Sequence, residues 1–134
     1  MVTIGIESVL ETCLYVDDID AAETFYGEIL GLEFYSKEAD KFVFFRVGPA
    51  MLLIFIPEAS AAGDHELPNH GAKGVQHIAF SVLEEELDEW HSHLEAQEID
   101  IEQDHTWPNG KRSLYFRDPA GNSIELASIT IWSK

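Results

Sequence analysis

The 134-residue sequence has little cysteine and no long apolar run. Its single cysteine, Cys13, allows no internal disulfide and fits a reducing cytoplasm, where we expect the protein to reside. No stretch approaches the roughly 18 apolar residues that a membrane-spanning helix needs. The N-terminal residues also lack the basic start and apolar centre of a secretory signal. We therefore predict no membrane association.

Basic residues are also scarce, since 8 Lys and Arg stand against 25 Asp and Glu, for a net charge of −17. Such a chain has no basic stripe for a phosphate backbone, so we expect no nucleic-acid partner. The acidic residues are spread along the chain, which is typical of a solvated surface. Hydrophobic residues make up 46 % of the sequence, enough for the core of one folded domain spanning residues 1–134.

Two stretches about 66 residues apart share one pattern, in which Glu11 and His77 occupy equivalent positions. Each begins with a strand, continues into an amphipathic helix and ends in aromatic strands. A repeat of this length indicates one supersecondary unit used twice. We predict an α+β fold of two tandem βαβββ modules that form a curved, barrel-like sheet. Module 1 covers about residues 7–57, the linker 58–74 and module 2 about 75–130.

Turn and cap residues set the expected limits of the elements. Asp20 and Glu23 resemble a capping box, and Gly31 a C-terminal stop, for a first helix with Phe25 and Tyr26 on its inner face. A second helix is predicted over about 84–96. The predicted strands cover residues 8–16, 32–37, 41–47, 51–56, 75–82, 98–104, 112–117 and 123–128.

Alternation along the strands predicts which side chains point away from the helices. On the last strand, Glu125 lies between Ile124 and Leu126, which we assign to the core. Three residues able to bind a metal therefore share one face, which becomes a cup if the sheets curve. The side chains predicted to face this cup are Glu11, Cys13, Tyr15, His77 and Glu125. Those predicted to face the helices are Leu10, Leu14, Val16, Ile78, Phe80 and Val82.

Four strings of the sequence are distinctive: LYVDD at 14–18, FYGEILGL at 25–32, HIAF at 77–80 and YFRDPAGNSIEL at 115–126. Their order and spacing resemble those of the vicinal oxygen chelate superfamily. This superfamily includes glyoxalase I, bleomycin-resistance proteins, fosfomycin-resistance enzymes, methylmalonyl-CoA epimerase and extradiol dioxygenases. The resemblance covers nearly the whole chain and implies the glyoxalase/bleomycin resistance/dihydroxybiphenyl dioxygenase fold.

The resemblance also implies a divalent-metal site. Metal-dependent members hold the ion at positions matched here by Glu11, His77 and Glu125, although the first is usually a histidine. One imidazole with two carboxylates favours Mn²⁺ or Mg²⁺ and leaves Zn²⁺, Ni²⁺ and Fe²⁺ open. The carboxylate of Glu11 argues against a ferrous dioxygenase and against a fosfomycin-type enzyme. A fourth ligand position of some members falls near Leu53, whose side chain cannot coordinate a metal.

Further polar residues near the strand ends and in the linker extend the predicted site. Tyr115 matches a tyrosine of extradiol enzymes that bonds substrate oxygen, and we expect it to act in catalysis with Glu125 and His105. The general base stays open between a ligand carboxylate and His105. His70 is predicted either to close over the cup or to be simply exposed. The residues expected to contact substrate are Tyr15, Cys13, Leu53, Arg112 and Arg117.

Three functional hypotheses remain. The first is a metalloenzyme that binds neighbouring oxygens of a small substrate, as an isomerase or lyase rather than a ring-cleaving dioxygenase. The second is a metal-free binder like the bleomycin-resistance proteins, whose cationic ligand suits a charge of −17. The third is a regulatory or scaffold domain. A homodimer is expected, because modules of this kind commonly pair to cover faces and edges.

Overall fold

The computed structural model describes residues 3–62 and 66–133. It divides the chain into two compact units, Met1–Lys73 and Gly74–Lys134, with the boundary at the end of the predicted linker. Each unit contains one four-stranded sheet, with helical turns after its first strand. The α+β class and the two tandem βαβββ modules are confirmed, whereas the assignment of all 134 residues to one domain stays a prediction.

The strands of the first unit are β1 (Glu11–Tyr15), β2 (Glu33–Glu38), β3 (Phe42–Val47) and β4 (Ala50–Phe55). The helices are α1 (Ile19–Ala22), which continues into a π-helical segment (Glu23–Ile29), and α2 (Pro57–Ala61). The strand order is β1-β4-β3-β2, with β1 parallel to β4 and the other pairs antiparallel. The helix α2 begins at the last residue of predicted module 1 and extends into the segment predicted to be linker.

The first helix begins two residues earlier than predicted. Asp18 has extended backbone, so its side chain folds back and accepts a hydrogen bond from the Ala21 N–H at 3.0 Å. The capping box at Asp20 and Glu23 is therefore wrong. Both carboxylates instead bind Lys37 Nζ, at 2.7 and 2.8 Å, and so link the helix to β2.

The helix ends as predicted, at a glycine. Gly31 has φ of +78°, a left-handed conformation that glycine adopts without strain. Leu32 N–H donates to the Tyr26 carbonyl at 2.9 Å, which closes the final turn. Phe25 and Tyr26 are buried and meet edge to face at 4.9 Å, so the predicted inner face of this helix is confirmed.

The strands of the second unit are β5 (His77–Ser81), β6 (Gln103–Thr106), β7 (Arg112–Arg117) and β8 (Ser123–Ala127). The helices are a 3₁₀ turn (Glu84–Glu86), α3 (Leu87–Ala96) and a final 3₁₀ turn (Ile129–Trp132). This unit repeats the topology of the first, with strand order β5-β8-β7-β6 and β5 parallel to β8. The predicted strand at 98–104 begins only at Gln103, because the chain turns at Glu98, where φ is +59°.

The cores follow the predicted alternation in part. Leu14, Val16, Ile124 and Leu126 are buried as expected, whereas Ile78, Phe80 and Val82 are half-buried. Leu10 is 70 % exposed, so its assignment to the core is wrong. β1 begins at Glu11, and Leu10 adds only its carbonyl to the sheet, which accepts a hydrogen bond from the Met51 N–H at 3.0 Å. Within residues 3–62 and 66–133, no helix is long and apolar enough to cross a membrane.

Candidate metal and substrate site

The strand register shows which positions of the two units correspond. In the second unit, Glu125 of β8 lies opposite Ala79 of β5 and opposite Tyr115 of β7. In the first unit, Leu53 of β4 has the corresponding pairings, with Cys13 of β1 and Phe44 of β3. Leu53 therefore occupies the place in one unit that Glu125 occupies in the other. The two units offer different chemistry on matching backbones.

A buried turn positions the start of β8 beside the start of β5. Asp118 accepts hydrogen bonds from the N–H groups of Ala120 and Asn122, and from the Asn122 side-chain amide. Asn122 Oδ1 in turn accepts from the Gln76 N–H at 3.1 Å. The residue after Gln76 is His77, so the turn determines where this histidine enters the sheet. Sequence reasoning recognised the turn but missed this positioning role.

His77 has a defined tautomer. Its Nδ1 lies 3.0 Å from the carbonyl oxygen of Ser123, and a carbonyl only accepts, so Nδ1 carries the hydrogen. In the neutral ring, Nε2 then presents a lone pair, and this atom lies 3.3 Å from Glu125 Oε1. A backbone carbonyl that fixes the tautomer in this way is a frequent partner of metal-binding histidines.

Glu125 is the buried acid of the site, with its side chain only 8 % exposed. Its Oε1 faces His77, while no donor among the described residues reaches Oε2. A buried carboxylate oxygen without a donor is costly, and a lone pair facing a carboxylate is repulsive. The pair is favourable only when a proton or a metal ion lies between these atoms. Imidazole nitrogen and carboxylate oxygen suit the divalent ions considered above.

Tyr115 and His105 share the face of the sheet on which Glu125 lies. The rings of Tyr115 and His77 are stacked, with centroids 6.3 Å apart. Burial raises the pKa of Tyr115, and the charge of Glu125 raises it further. The hydroxyl therefore stays protonated at neutral pH and can donate a hydrogen bond. His105 lies opposite Ser113 in the ladder, with its ring edge-on to Trp107 at 4.4 Å.

The two arginines predicted to contact substrate are held in ion pairs. Arg112 bonds both carboxylate oxygens of Asp104 and also Asp88 of α3. Arg117 bonds both oxygens of Glu102 and donates to the Gly121 carbonyl. Their guanidinium groups thus tie elements of the second unit together. The substrate-binding roles of Arg112 and Arg117 stay predictions.

The remaining predicted residues lie in the first unit around a cavity of about 420 Å³. Its lining includes Glu11, Cys13 and Leu53. Burial raises the pKa of the Cys13 thiol, and the charge of Glu11 adds to this, so Cys13 is a poor nucleophile. His70 also lines the cavity, and its Nδ1 lies 2.6 Å from the hydroxyl oxygen of Tyr15.

The structure thus brings together two of the three predicted ligands, His77 and Glu125, in the second unit. Glu11 belongs to the first unit. Among the described residues, no group of three or more His, Cys, Asp and Glu side chains gathers closely enough to hold a metal ion. The three-residue ligand set stays a prediction. Sequence reasoning missed the aromatic lining of the cavity, although alternation along β3 signals it through Phe42 and Phe44.

Comparison with known proteins identifies the family. The family described as Glyoxalase/Bleomycin resistance protein/Dioxygenase superfamily matches residues 6–126, which is most of the chain. This chain belongs to that superfamily. The suspected resemblance is confirmed, and so is the fold.

Similarity within the glyoxalase superfamily extends over whole chains. A crystal structure of lactoylglutathione lyase from Agrobacterium tumefaciens is 45 % identical, with a TM-score of 0.92, covering 96 % of this chain and 98 % of that one. Metallothiol transferase FosB of Staphylococcus saprophyticus is 28 % identical, over 94 % of this chain and 80 % of its own length. FosB of Staphylococcus epidermidis is 30 % identical, over 94 % and 84 %.

Proposed function

We propose that this protein is a divalent-metal-dependent enzyme that acts, as a lyase or isomerase, on a small substrate through neighbouring oxygens. One observation carries the proposal. His77 Nε2 lies 3.3 Å from Glu125 Oε1, and Glu125 Oε2 finds no donor among the described residues. These atoms provide two ligand positions that a bound cation would stabilise. Glu11 is the proposed third ligand.

The named relatives support a finer proposal about the substrate. Lactoylglutathione lyase and metallothiol transferase FosB both carry a thiol compound in their names. We therefore favour a substrate that contains a thiol adduct of an oxygen-bearing compound. This chain is similar to FosB, but it has Glu11 where metal-dependent members usually have a histidine. The expectation against a fosfomycin-type enzyme therefore stays a prediction.

Each residue has a proposed role. His77 and Glu125, with Glu11, would hold the divalent ion. When bound, such an ion supplies Lewis acidity, stabilising negative charge on substrate oxygens. Tyr115, whose raised pKa keeps it protonated, donates a hydrogen bond to a substrate oxygen. His105, half-buried on the same face, is the candidate base for moving a substrate proton.

Metal content tests the proposal directly. The protein, purified without a histidine tag, is incubated with Mn²⁺, Ni²⁺, Zn²⁺ or Fe²⁺, desalted and analysed by elemental mass spectrometry. We expect about one ion per chain in the parent and loss of at least tenfold in affinity for His77→Ala and Glu125→Ala. Glu11→Ala reports separately on the third ligand. His91→Ala, which removes a half-buried imidazole on α3 that is paired with Glu95, is the matched control and retains the metal.

Absence of metal from the parent after every incubation would contradict the enzyme proposal and favour the metal-free binder. A metal-loaded parent is then screened with thiol adducts of 2-oxoaldehydes, with catechols and with cationic antibiotics. Turnover of the thiol adducts alone supports the finer proposal. Binding of a cationic antibiotic without turnover supports the bleomycin-resistance-like alternative.

The proposed enzyme is a cytoplasmic homodimer. Support for pairing comes from exposed apolar side chains, because Ile4 and Ile6 are 83 % and 96 % exposed and Trp132 is 83 % exposed. Large apolar side chains exposed to this extent are candidates for an interface between subunits. Sedimentation equilibrium that gives the mass of one chain at micromolar concentration would contradict the dimer.

A further inference from the structure

One tryptophan occupies the end of the β6–β7 hairpin in the second unit. The Trp107 N–H donates to the Lys111 carbonyl at 2.8 Å, and the Trp107 carbonyl accepts from the Gly110 N–H, also at 2.8 Å. Gly110 has φ of +84°, which glycine adopts without strain. The hairpin turn therefore holds the backbone of Trp107, and the half-buried indole ring reaches back to β7.

The indole makes two contacts on the face of the sheet that carries Tyr115 and Glu125. Its Nε1–H donates to Ser113 Oγ at 2.8 Å, and Ser113 is fully buried. Its ring meets the His105 ring edge-on, with centroids 4.4 Å apart and an interplanar angle of 80°. Because Ser113 and His105 lie opposite each other in the ladder, one indole contacts both members of a cross-strand pair.

Ser113 connects the indole to Tyr115. Tyr115 lies two residues further along β7 on the same face, and its hydroxyl forms side-chain hydrogen bonds with Ser113 and Glu125. An indole can only donate a hydrogen bond, and an ionised carboxylate can only accept one. The single hydroxyl hydrogen of Tyr115 is therefore donated to Glu125. The hydroxyl hydrogen of Ser113 must then be donated to the Tyr115 oxygen.

This order of donors determines where the Tyr115 hydrogen points. The Ser113 hydroxyl occupies one side of the phenol oxygen, so the Tyr115 hydrogen is directed toward Glu125 and the proposed metal site. We infer that Trp107 is a positioning residue for the proposed reaction. It aligns Tyr115 through Ser113, and it aligns His105 by ring contact. The inference rests on the proposed function, in which Tyr115 is the hydrogen-bond donor and His105 the candidate base.

Nuclear magnetic resonance in the presence of a chelator tests the alignment without any substrate. Tyrosine labelled with ¹³C at Cζ reports the hydrogen bonds of each phenol, and Tyr115→Phe assigns its signal. Trp107→Phe retains a ring but removes the indole N–H, so we expect it to shift the Tyr115 signal. Three-bond couplings should show a single His105 side-chain rotamer in the parent and in Trp107→Phe.

Trp107→Leu removes both contacts. It should shift the Tyr115 signal and also allow His105 to sample several rotamers, since an edge-on aromatic contact favours one orientation by a factor of about 2 to 10. An unchanged Tyr115 signal in Trp107→Phe would overturn the inference. So would a single His105 rotamer in Trp107→Leu.

Ser113→Ala and Trp90→Phe complete the comparison. Ser113→Ala removes the connecting hydroxyl and should shift the Tyr115 signal. Adding Trp107→Phe to Ser113→Ala should cause no further shift, because the indole N–H acts on Tyr115 only through Ser113. Trp90→Phe, at a half-buried indole of α3 that contacts His93, is the matched control and should leave the signal unchanged. A further shift in the double variant, or an equal shift in Trp90→Phe, would overturn the inference.

Steady-state kinetics distinguish positioning from a general effect on folding. With a thiol adduct of a 2-oxoaldehyde as substrate, Trp107→Phe and Ser113→Ala should lower kcat at least tenfold and leave KM within about twofold. Trp90→Phe should retain the kcat of the parent. An unchanged kcat, or a loss that only follows the folded fraction measured by circular dichroism, would overturn the inference. Absence of turnover in the parent would instead contradict the proposed function, and the resonance signals would still show whether Trp107 aligns the two side chains.

Discussion

The two units of this chain use one strand topology for opposite chemistry. At the central register position the first unit has Leu53 and the second has Glu125. The strand beside it carries Phe44 in the first unit and Tyr115 in the second. An apolar cavity results in one unit, and in the other a polar pair whose carboxylate is buried. The comparison shows that the backbone pattern is set by core and turn residues, while the opposite face is free to diverge.

The turns that lead into these strands differ as strongly as the strands. In the first unit β3 passes into β4 through Gly48, with φ of +55°, and Pro49. In the second unit the corresponding turn is built on Asp118, which is 4 % exposed and accepts three hydrogen bonds. A buried carboxylate with several donors has a larger influence on stability than an open turn does.

The largest expected effect is the loss of stability when the turn at Asp118 loses its carboxylate. Asp118→Ala leaves two backbone N–H groups and the Asn122 amide without their acceptor, so we expect the free energy of unfolding to fall by about 3 kcal/mol. Urea unfolding followed by circular dichroism measures the change. Asp100→Ala, at an exposed aspartate of the same unit, is the control and should stay within about 0.5 kcal/mol. Equal effects of the two variants would contradict the anchoring role.

The next largest effect is expected for a substitution that gives the second unit the leucine that the first unit has at the central register position. Glu125→Leu removes the buried carboxylate whose Oε2 has no donor among the described residues. In chelator, we expect this variant to be more stable than the parent by about 1–3 kcal/mol. The same variant should bind no metal. Urea unfolding with and without added Mn²⁺ measures both effects. A destabilised variant in chelator would mean that the contacts of Glu125 with His77 and Tyr115 outweigh the cost of its burial.

The reciprocal substitution, Leu53→Glu, sharpens the comparison. It places a carboxylate among Phe42, Phe44 and Phe55, where Glu11 has the ladder position that His77 has in the second unit. We expect a loss of about 1–3 kcal/mol in the free energy of unfolding, because the new charge is desolvated among aromatic rings near the carboxylate of Glu11. Met51→Glu, two residues away on the same strand face and outside the cavity lining, serves as the control with a smaller expected loss.

Much of the fold follows from the sequence, because periodic patterns and turn residues act locally. The repeat, the order of elements and the burial of Leu14 and Leu126 all depend on such patterns. The capping residue was placed wrongly because Asp18 and Asp20 are equally good caps, and only the backbone conformation chooses between them.

The candidate site was less predictable, for a physical reason. Alternation gives the face on which His77 and Glu125 lie, but the tautomer of His77 depends on a carbonyl brought in by another strand. Likewise, the position of His70 beside α2 depends on a non-local hydrogen bond in a segment without periodicity. Long-range contacts of this kind leave no local signal in a single sequence.

The smallest expected effect concerns the ion pairs that connect helix and sheet in each unit. In each unit one cation binds two carboxylates: Lys37 binds Asp20 and Glu23, and Arg112 binds Asp88 and Asp104. The hydrogen bond from Arg112 lowers the pKa of Asp104, so its stabilising contribution is present above the unfolded-state pKa and is lost as pH falls through the lower folded-state value.

Asp104→Asn should therefore cost no more than about 1 kcal/mol at neutral pH, since the pair is partly solvated. The difference from the parent should shrink as pH falls below the unfolded-state pKa and should vanish once pH is also below the lower folded-state pKa. Urea unfolding across this range measures it, with Asp100→Asn as the control. A difference that persists at low pH would mean that Asp104 acts through packing and not through its ion pair with Arg112.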